Sequence, residues 1–178
     1  MKSKVLLLLS VFLIGTVGIS CQTNKNNKTM NTTTVSNLDV NRFMGSWYEI
    51  ARYEHSFEKG MTHVKANYSL LPDGTIRVLN SGMKNGKKKE IEGKARKKKD
   101  SNSNSKLEVS FFLWFYSDYF VFELDDNYQY AVIGSSSDKY LWILSRTPQL
   151  PQSTINDLLI KIKKRGYDTS KLYFVPQK

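Results

Sequence analysis

Residues 45–53 read Gly-Ser-Trp-Tyr-Glu-Ile-Ala-Arg-Tyr. Trp47 and Tyr48 are adjacent, so on an extended strand their side chains point to opposite faces. One ring is expected inside and the other outside. A large aromatic two residues after Gly45, where the first alternating segment begins, fits a core anchor at a strand start. The segments that follow decide what that strand belongs to.

From Trp47–Tyr53 the chain passes through a long loop, Glu54–Met61, to Thr62–Leu71. There Val64, Ala66, Tyr68 and Leu70 alternate with Lys65, Asn67 and Ser69. Pro72-Asp73-Gly74 is a strong turn signal. Thr75–Asn80 returns with Ile76 and Val78 on one face, and Asn85-Gly86 marks the next turn. Lys87–Lys97 is a polar strand. Lys106–Phe115, Asp118–Leu124, Tyr128–Ser135 and Lys139–Arg146 follow, separated by Ser, Asn and Asp clusters. These eight short strands, joined in sequence by hairpin-like connections, predict an all-β, antiparallel up-and-down barrel.

The period then changes. Pro148 and Pro151 end the last strand, and Ser153 is placed to cap a helix. Ile155, Leu158, Leu159 and Ile162 make one apolar stripe at helical spacing. Lys161, Lys163, Lys164 and Arg165 suit the C-terminal end of the helix dipole, and Gly166 stops it. A single helix is therefore expected against the outside of the barrel, before a short strand at Leu172–Val175.

The other end of the chain is a leader. Lys2 and Lys4 precede an apolar run from Val5 to Val17, too short to span a bilayer and suited to a signal peptide over residues 1–20. Gly18-Ile19-Ser20-Cys21 resembles the lipobox of bacterial lipoproteins, with Gly18 where leucine is usual. Cys21 is the only cysteine, so no internal disulfide can form. It is read as the lipidated first residue of the mature chain. Residues 22–37 are polar and low in complexity, and are expected to form a flexible tether from Cys21 to a domain at 38–178.

The formal charge is +11, and loss of Lys2 and Lys4 with the leader leaves about +9. The excess is concentrated between residues 84 and 99, in Lys84, Lys87, Lys88, Lys89, Lys94, Arg96, Lys97, Lys98 and Lys99. Such a patch can face anionic headgroups or simply keep a sheet edge soluble. No aromatic is interleaved in it for base stacking, which argues against nucleic acid as a partner.

On these residues the chain resembles the lipocalin family. Gly45-Ser46-Trp47-Tyr48-Glu49-Ile50-Ala51-Arg52 resembles the first family signature. Asn127-Tyr128-Gln129-Tyr130-Ala131 stands at the second, usually Thr-Asp-Tyr, with Gln129 for the aspartate and Tyr130 as its tyrosine. Leu141-Trp142-Ile143-Leu144-Ser145-Arg146-Thr147-Pro148 resembles the third. Gly45, Trp47, Tyr130 and Arg146 are thus the structural signature. Arg146 is expected to lie over the Trp47 indole, a cation–π contact worth about 0.5–2 kcal/mol, and to close the barrel floor. Within the family the likeness is to the bacterial outer-membrane lipoproteins and to apolipoprotein D.

An eight-stranded barrel has room for packed side chains or one small ligand. If Arg146 faces inward, so do Leu144 and Trp142, while Leu141 and Ile143 face out beneath the helix. Val64, Ala66 and Tyr68 share an inward face, as do Ile76, Val78 and Asn80, and Leu107, Val109 and Phe111. The resemblance to apolipoprotein D implies pocket positions at Tyr68, Asn80, Phe111 and Trp142. The candidate ligand-binding set is Tyr68, Val78, Asn80, Val109, Phe111 and Trp142. Burying about twelve methylenes at roughly 0.8 kcal/mol each offers about 10 kcal/mol, against an association cost of about 4–15 kcal/mol. A fatty acid or lysophospholipid is then a plausible occupant. The alternative is a structural envelope lipoprotein with a filled barrel, working through its surface.

Phe111-Phe112-Leu113-Trp114-Phe115-Tyr116 is apolar on both faces, so one face needs a partner in the core, in a second subunit as a homodimer, or in the membrane. His55 and His63 match no zinc spacing, and neither a Gly-x-Ser-x-Gly elbow nor a phosphate loop occurs. No metal, cofactor or catalytic constellation is expected. The resemblance implies a lipid-anchored protein of the bacterial outer membrane, facing the periplasm or the surface.

Overall fold

In a computed structural model the described residues are 30–177, so the leader and Cys21 lie outside them. A short helix, α1 (Val40–Phe43), precedes eight barrel strands. These are β1 (Gly45–Tyr53), β2 (Thr62–Leu70), β3 (Ile76–Lys84), β4 (Lys87–Lys97), β5 (Lys106–Ser110), β6 (Ser117–Leu124), β7 (Tyr130–Gly134) and β8 (Leu141–Ser145). The helix α2 (Gln152–Lys164), a 3-10 turn (Thr169–Lys171) and β9 (Leu172–Phe174) complete the chain. Each barrel strand pairs antiparallel with the next, and β1 closes the cylinder by pairing with both β8 and β2. The expected eight-stranded up-and-down barrel with one outer helix is what forms.

Closure between β1 and β2 covers only Gly45–Tyr48. Above that point β1 turns to β9, pairing Ala51–Tyr53 with Phe174–Leu172. The gap left toward β2 is bridged by the C-terminal segment. The Val175 amide donates to the Ile50 carbonyl at 2.9 Å, and Gln177 Nε2 donates to the carbonyls of Glu49 and Val64 at 2.7 and 3.1 Å.

Two apolar layers result from strand alternation. The inner one contains Trp47, Ala66, Tyr68, Val78, Leu107, Tyr119, Ile133 and Leu144. The outer one joins Ile50, Phe122, Val132, Leu141 and Ile143 to Leu158 and Ile162 of α2. Helix α2 starts at Gln152, so Ser153 lies inside it, and its N-cap is Pro151 with no side-chain cap. The fixed φ of proline presets the entry, and the Ile155 amide donates to the Pro151 carbonyl at 3.1 Å.

Of the segment read as a tether, residues 22–29 lie outside the described residues, and the reading is corrected over 30–37, which lie against the barrel. Met30 packs on the outer layer, the Val35 amide donates to the Val121 carbonyl at 3.1 Å, and Arg165 Nη1 donates to the Thr33 carbonyl at 2.6 Å. A polar segment docks here because its backbone finds hydrogen-bond partners on the barrel wall.

The floor is a plug. Trp47 is fully buried, and its Nε1 donates to the Phe43 carbonyl at 2.8 Å. The Arg146 guanidinium lies 3.8 Å above the Trp47 ring. It also donates to the carbonyls of Ser46 (2.9 Å), Arg42 (2.8 Å), Phe43 (3.3 Å) and Tyr128 (3.3 Å). Gly45 has φ +92°, and a Cβ there would stand 3.4 Å from Arg146 Nη1, which explains the glycine of the first signature. The tyrosine at this floor is Tyr128. Its hydroxyl accepts from the Asp39 amide at 2.9 Å, while Tyr130 packs on the outer layer.

Arg146→Ala is expected to lower stability by about 3 kcal/mol, through lost charge-assisted hydrogen bonds and the cation–π contact. Urea unfolding checks this, and a loss within about 0.5 kcal/mol, the range of an ordinary surface change, would remove Arg146 from this role.

Candidate binding cavity

The connections β1–β2, β3–β4, β5–β6 and β7–β8 lie at the end opposite the Trp47 plug, because consecutive strands alternate in direction. A cavity of about 230 Å³ lies in the barrel beneath this mouth. All six candidate residues, Tyr68, Val78, Asn80, Val109, Phe111 and Trp142, line it. Strand parity is the reason. Tyr68 stands opposite Val78 and Ala66 opposite Asn80 in the β2–β3 register, so one face of each strand supplies the wall. Phe111 reaches the wall by lying across Gly93, where a Cβ would come within 2.6 Å of its ring.

The lining is mostly apolar with a few placed polar groups, as expected of a pocket that holds a hydrophobic body. Tyr68 and Tyr119, both buried, join their hydroxyls at 2.7 Å. Burial drives both phenols well above the usual tyrosine range. Asn80 Oδ1 is buried without a partner among the described residues.

Alternation alone did not lead to the charged side of the cavity. Glu49 shares the parity of Trp47 and could have been found from it. Arg52 could not, because the β1–β8 register shifts between Glu49 and Ala51. This bulge re-aims the strand, so that Glu49 and Arg52, three residues apart, both face inward opposite Leu144 and Trp142. Arg52 is fully buried. It donates to Glu49 Oε1 at 2.9 Å, Glu54 Oε1 at 3.2 Å and the Glu58 carbonyl at 2.8 Å. Glu58 folds in from the β1–β2 connection, and its Oε2 accepts from Trp142 Nε1 at 3.3 Å. Glu49 and Glu58 both line the cavity.

Burial, and then the Glu58 carboxylate, push Glu49 up to about 8 against the pull of Arg52. Burial raises Glu58 as well. His55 stacks on Phe57 at 5.2 Å and lies 4.8 Å and 5.4 Å from the Tyr140 and Trp142 rings. Burial and then Arg52 lower its pKa.

The run from Phe111 to Tyr116 is corrected in two ways. Strand β5 ends at Ser110, not Phe115, and Phe112–Phe115 are exposed at the mouth. Core packing covers only Phe111. The basic run divides as well. Lys84 and Lys87–Lys89 flank the β3–β4 turn at the mouth, whereas Lys94, Arg96 and Lys98 pair with Asp73, Glu108 and Asp118.

A family model described as the lipocalin-like domain matches residues 38–177. The chain is 41% identical over 180 residues to outer membrane lipoprotein Blc of Vibrio cholerae, covering 99% of each. It is 37% identical to apolipoprotein D of Rattus norvegicus over 76% of this chain and 75% of that one. Insecticyanin from the tobacco hornworm Manduca sexta superposes with a TM-score of 0.66 at 24% identity, over 82% and 84% of the two chains, a likeness of fold alone. The chain belongs to the lipocalin family. Its likeness to the Vibrio cholerae lipoprotein runs through the leader, and its location is the outer membrane.

Glu49 makes stability depend on pH. Its ordinary value is 4.5, so between about 4.5 and 8 the folded chain holds a proton that the unfolded chain has released. Stability is therefore lost as pH rises through that window. Glu49→Gln removes this contribution. Urea unfolding at about pH 5 and about pH 8 should show the variant losing less stability than the parent, and equal losses would contradict the placement of this proton.

Proposed function

We propose that the chain is a lipid-anchored carrier that binds small hydrophobic ligands, fatty acids or lysophospholipids, in its barrel and stores or moves them at the envelope. Lipid on Cys21 holds it to the membrane. The observation that carries the reading is the cavity itself, about 230 Å³ of apolar-lined space above a sealed floor. An unfilled interior favours a carrier over a structural lipoprotein with a packed barrel. The ligand's apolar body lies against Val78, Val109, Phe111 and Trp142, and its polar end reaches Asn80 or the Tyr68 and Tyr119 hydroxyls. Membership of a carrier family supports the same reading.

Native mass spectrometry with lipid extraction of the protein purified from cells tests it. Near-stoichiometric fatty acid or lysophospholipid is the expected result. An empty protein that also refuses a fluorescent fatty acid overturns it. Trp142→Ala should weaken fatty-ligand affinity by about tenfold or more, since a large buried side chain contributes about 1.5–3 kcal/mol. Thermal melting checks that the barrel persists, and unchanged affinity in a folded variant would place the ligand elsewhere.

A further inference from the structure

The mouth carries more apolar surface than the cavity needs. Phe112, Leu113, Trp114 and Phe115 have 71, 62, 74 and 68% of their surfaces exposed, and Phe57, from the β1–β2 connection, has 59%. Soluble surfaces rarely gather so many large apolar groups in one place. The β5–β6 tip is built to present them. The buried Ser110 hydroxyl donates to the carbonyls of Phe112 and Leu113 at 3.3 and 3.2 Å, and the Phe115 amide donates to the Phe112 carbonyl at 3.3 Å. Leu113 is held at φ +52°, a conformation a bulky residue adopts only at a cost. Phe57, Phe112 and Phe115 also line the cavity, so the apolar surface is continuous from the outside to the inside.

The charge at this end is basic. Lys84, Lys87, Lys88 and Lys89 flank the β3–β4 turn, and Lys59 and Lys139 are exposed on neighbouring connections. Against them stand Glu54, held by Arg52, Glu90, held by Lys88, Asp118, held by Lys98, and Asp138. Apolar residues beside lysines complement an anionic bilayer surface. Two copies pressed together through this end would bring like charges into contact. The chain also leaves the described barrel in a suitable place. Met30 lies on the barrel flank, and the nine residue steps back to Cys21 span at most about 30 Å. An anchor at Cys21, which rests on the function proposed above, therefore lets the mouth reach the membrane that holds it.

We propose that the mouth is a membrane-docking surface. Phe57 and Phe112–Phe115 enter the boundary between headgroups and acyl chains of an anionic phospholipid bilayer, and the lysines of the β3–β4 turn face the headgroups. A ligand then passes between bilayer and cavity without crossing water.

The mature protein, reconstituted through its own anchor, is tested in phosphatidylethanolamine vesicles with and without phosphatidylglycerol, using lipids brominated on the acyl chains. Quenching of tryptophan emission is expected in the anionic vesicles and strongly reduced in Trp114→Phe, because Trp114 is exposed at the mouth whereas Trp47 is buried and Trp142 lies on the cavity wall. Equal quenching in parent and variant overturns the proposal. Leu113→Asp with Trp114→Asp should slow transfer of a fluorescent fatty acid from vesicles by about tenfold, because two large apolar groups no longer leave water. The affinity of that variant for the same probe in solution should not change. Refusal of the probe by the parent in solution would defeat the carrier reading alone, since quenching still decides docking. An anchored dimer that the double variant dissociates, with no quenching in the parent, would make the face a protein interface and overturn the proposal.

Discussion

One guanidinium organises the closed end of this barrel. Arg146 leaves the end of β8, covers the Trp47 indole and donates to four carbonyls from three segments of chain. Those carbonyls belong to α1, the start of β1 and the β6–β7 turn, which this one side chain joins at a single point. A carbonyl facing the end of a barrel has lost its water and needs a donor, and one planar fork with five N–H groups supplies several at once. Because the floor is sealed by a side chain that only caps the barrel, the interior above it need not be filled to hold the strands together.

What occupies the interior follows from a single irregularity in β1. The bulge between Glu49 and Ala51 turns Arg52 inward, where it meets Glu49, Glu54 and the backbone of the β1–β2 connection. A buried charge without partners is costly, so this cluster holds the connection in place across the mouth side of the cavity. Its effect reaches Trp142, whose indole N–H is spoken for by Glu58. The cavity wall is thus largely apolar, with Tyr68 joined to Tyr119 and Trp142 to Glu58, while Asn80 Oδ1 has no partner among the described residues.

The outside of the barrel solves a different problem at each level. Around the middle, Leu141 and Ile143 are covered by Leu158 and Ile162 of α2, which removes the apolar outer face of β8 from water. Arg165 at the end of that helix reaches Glu123 at 2.7 Å and the Phe122 carbonyl at 2.9 Å, tying helix to wall. At the mouth no described residue covers Phe112–Phe115. The same sheet thus presents a finished surface around its girth and an unfinished one at its open end.

The amino-acid sequence by itself determined the barrel, the outer helix, the Trp47–Arg146 plug and the inward face of four strands. The barrel, the helix and the inward faces rest on a local period, alternation at two or a stripe at 3.6, and the plug rests on the resemblance of the Gly45–Trp47 and Arg146 segments to the family signatures. All six residues chosen by parity and resemblance, from Tyr68 to Trp142, line the barrel cavity for that reason. The tertiary structure decided what local period cannot carry. Arg52 is buried behind the cavity wall because of a bulge, and Glu58 lines the cavity because of a loop path. Tyr119 does so because β5 pairs it with Leu107, and Tyr128 rather than Tyr130 reaches the floor because it turns at φ +62°. Phe112–Phe115 read as strand by composition, yet β5 stops at Ser110, where the hydroxyl bonds of the turn replace the ladder. In each case the deciding contact joins residues far apart in sequence, and no pattern along the chain records which distant carbonyl, carboxylate or ring will be there to meet it.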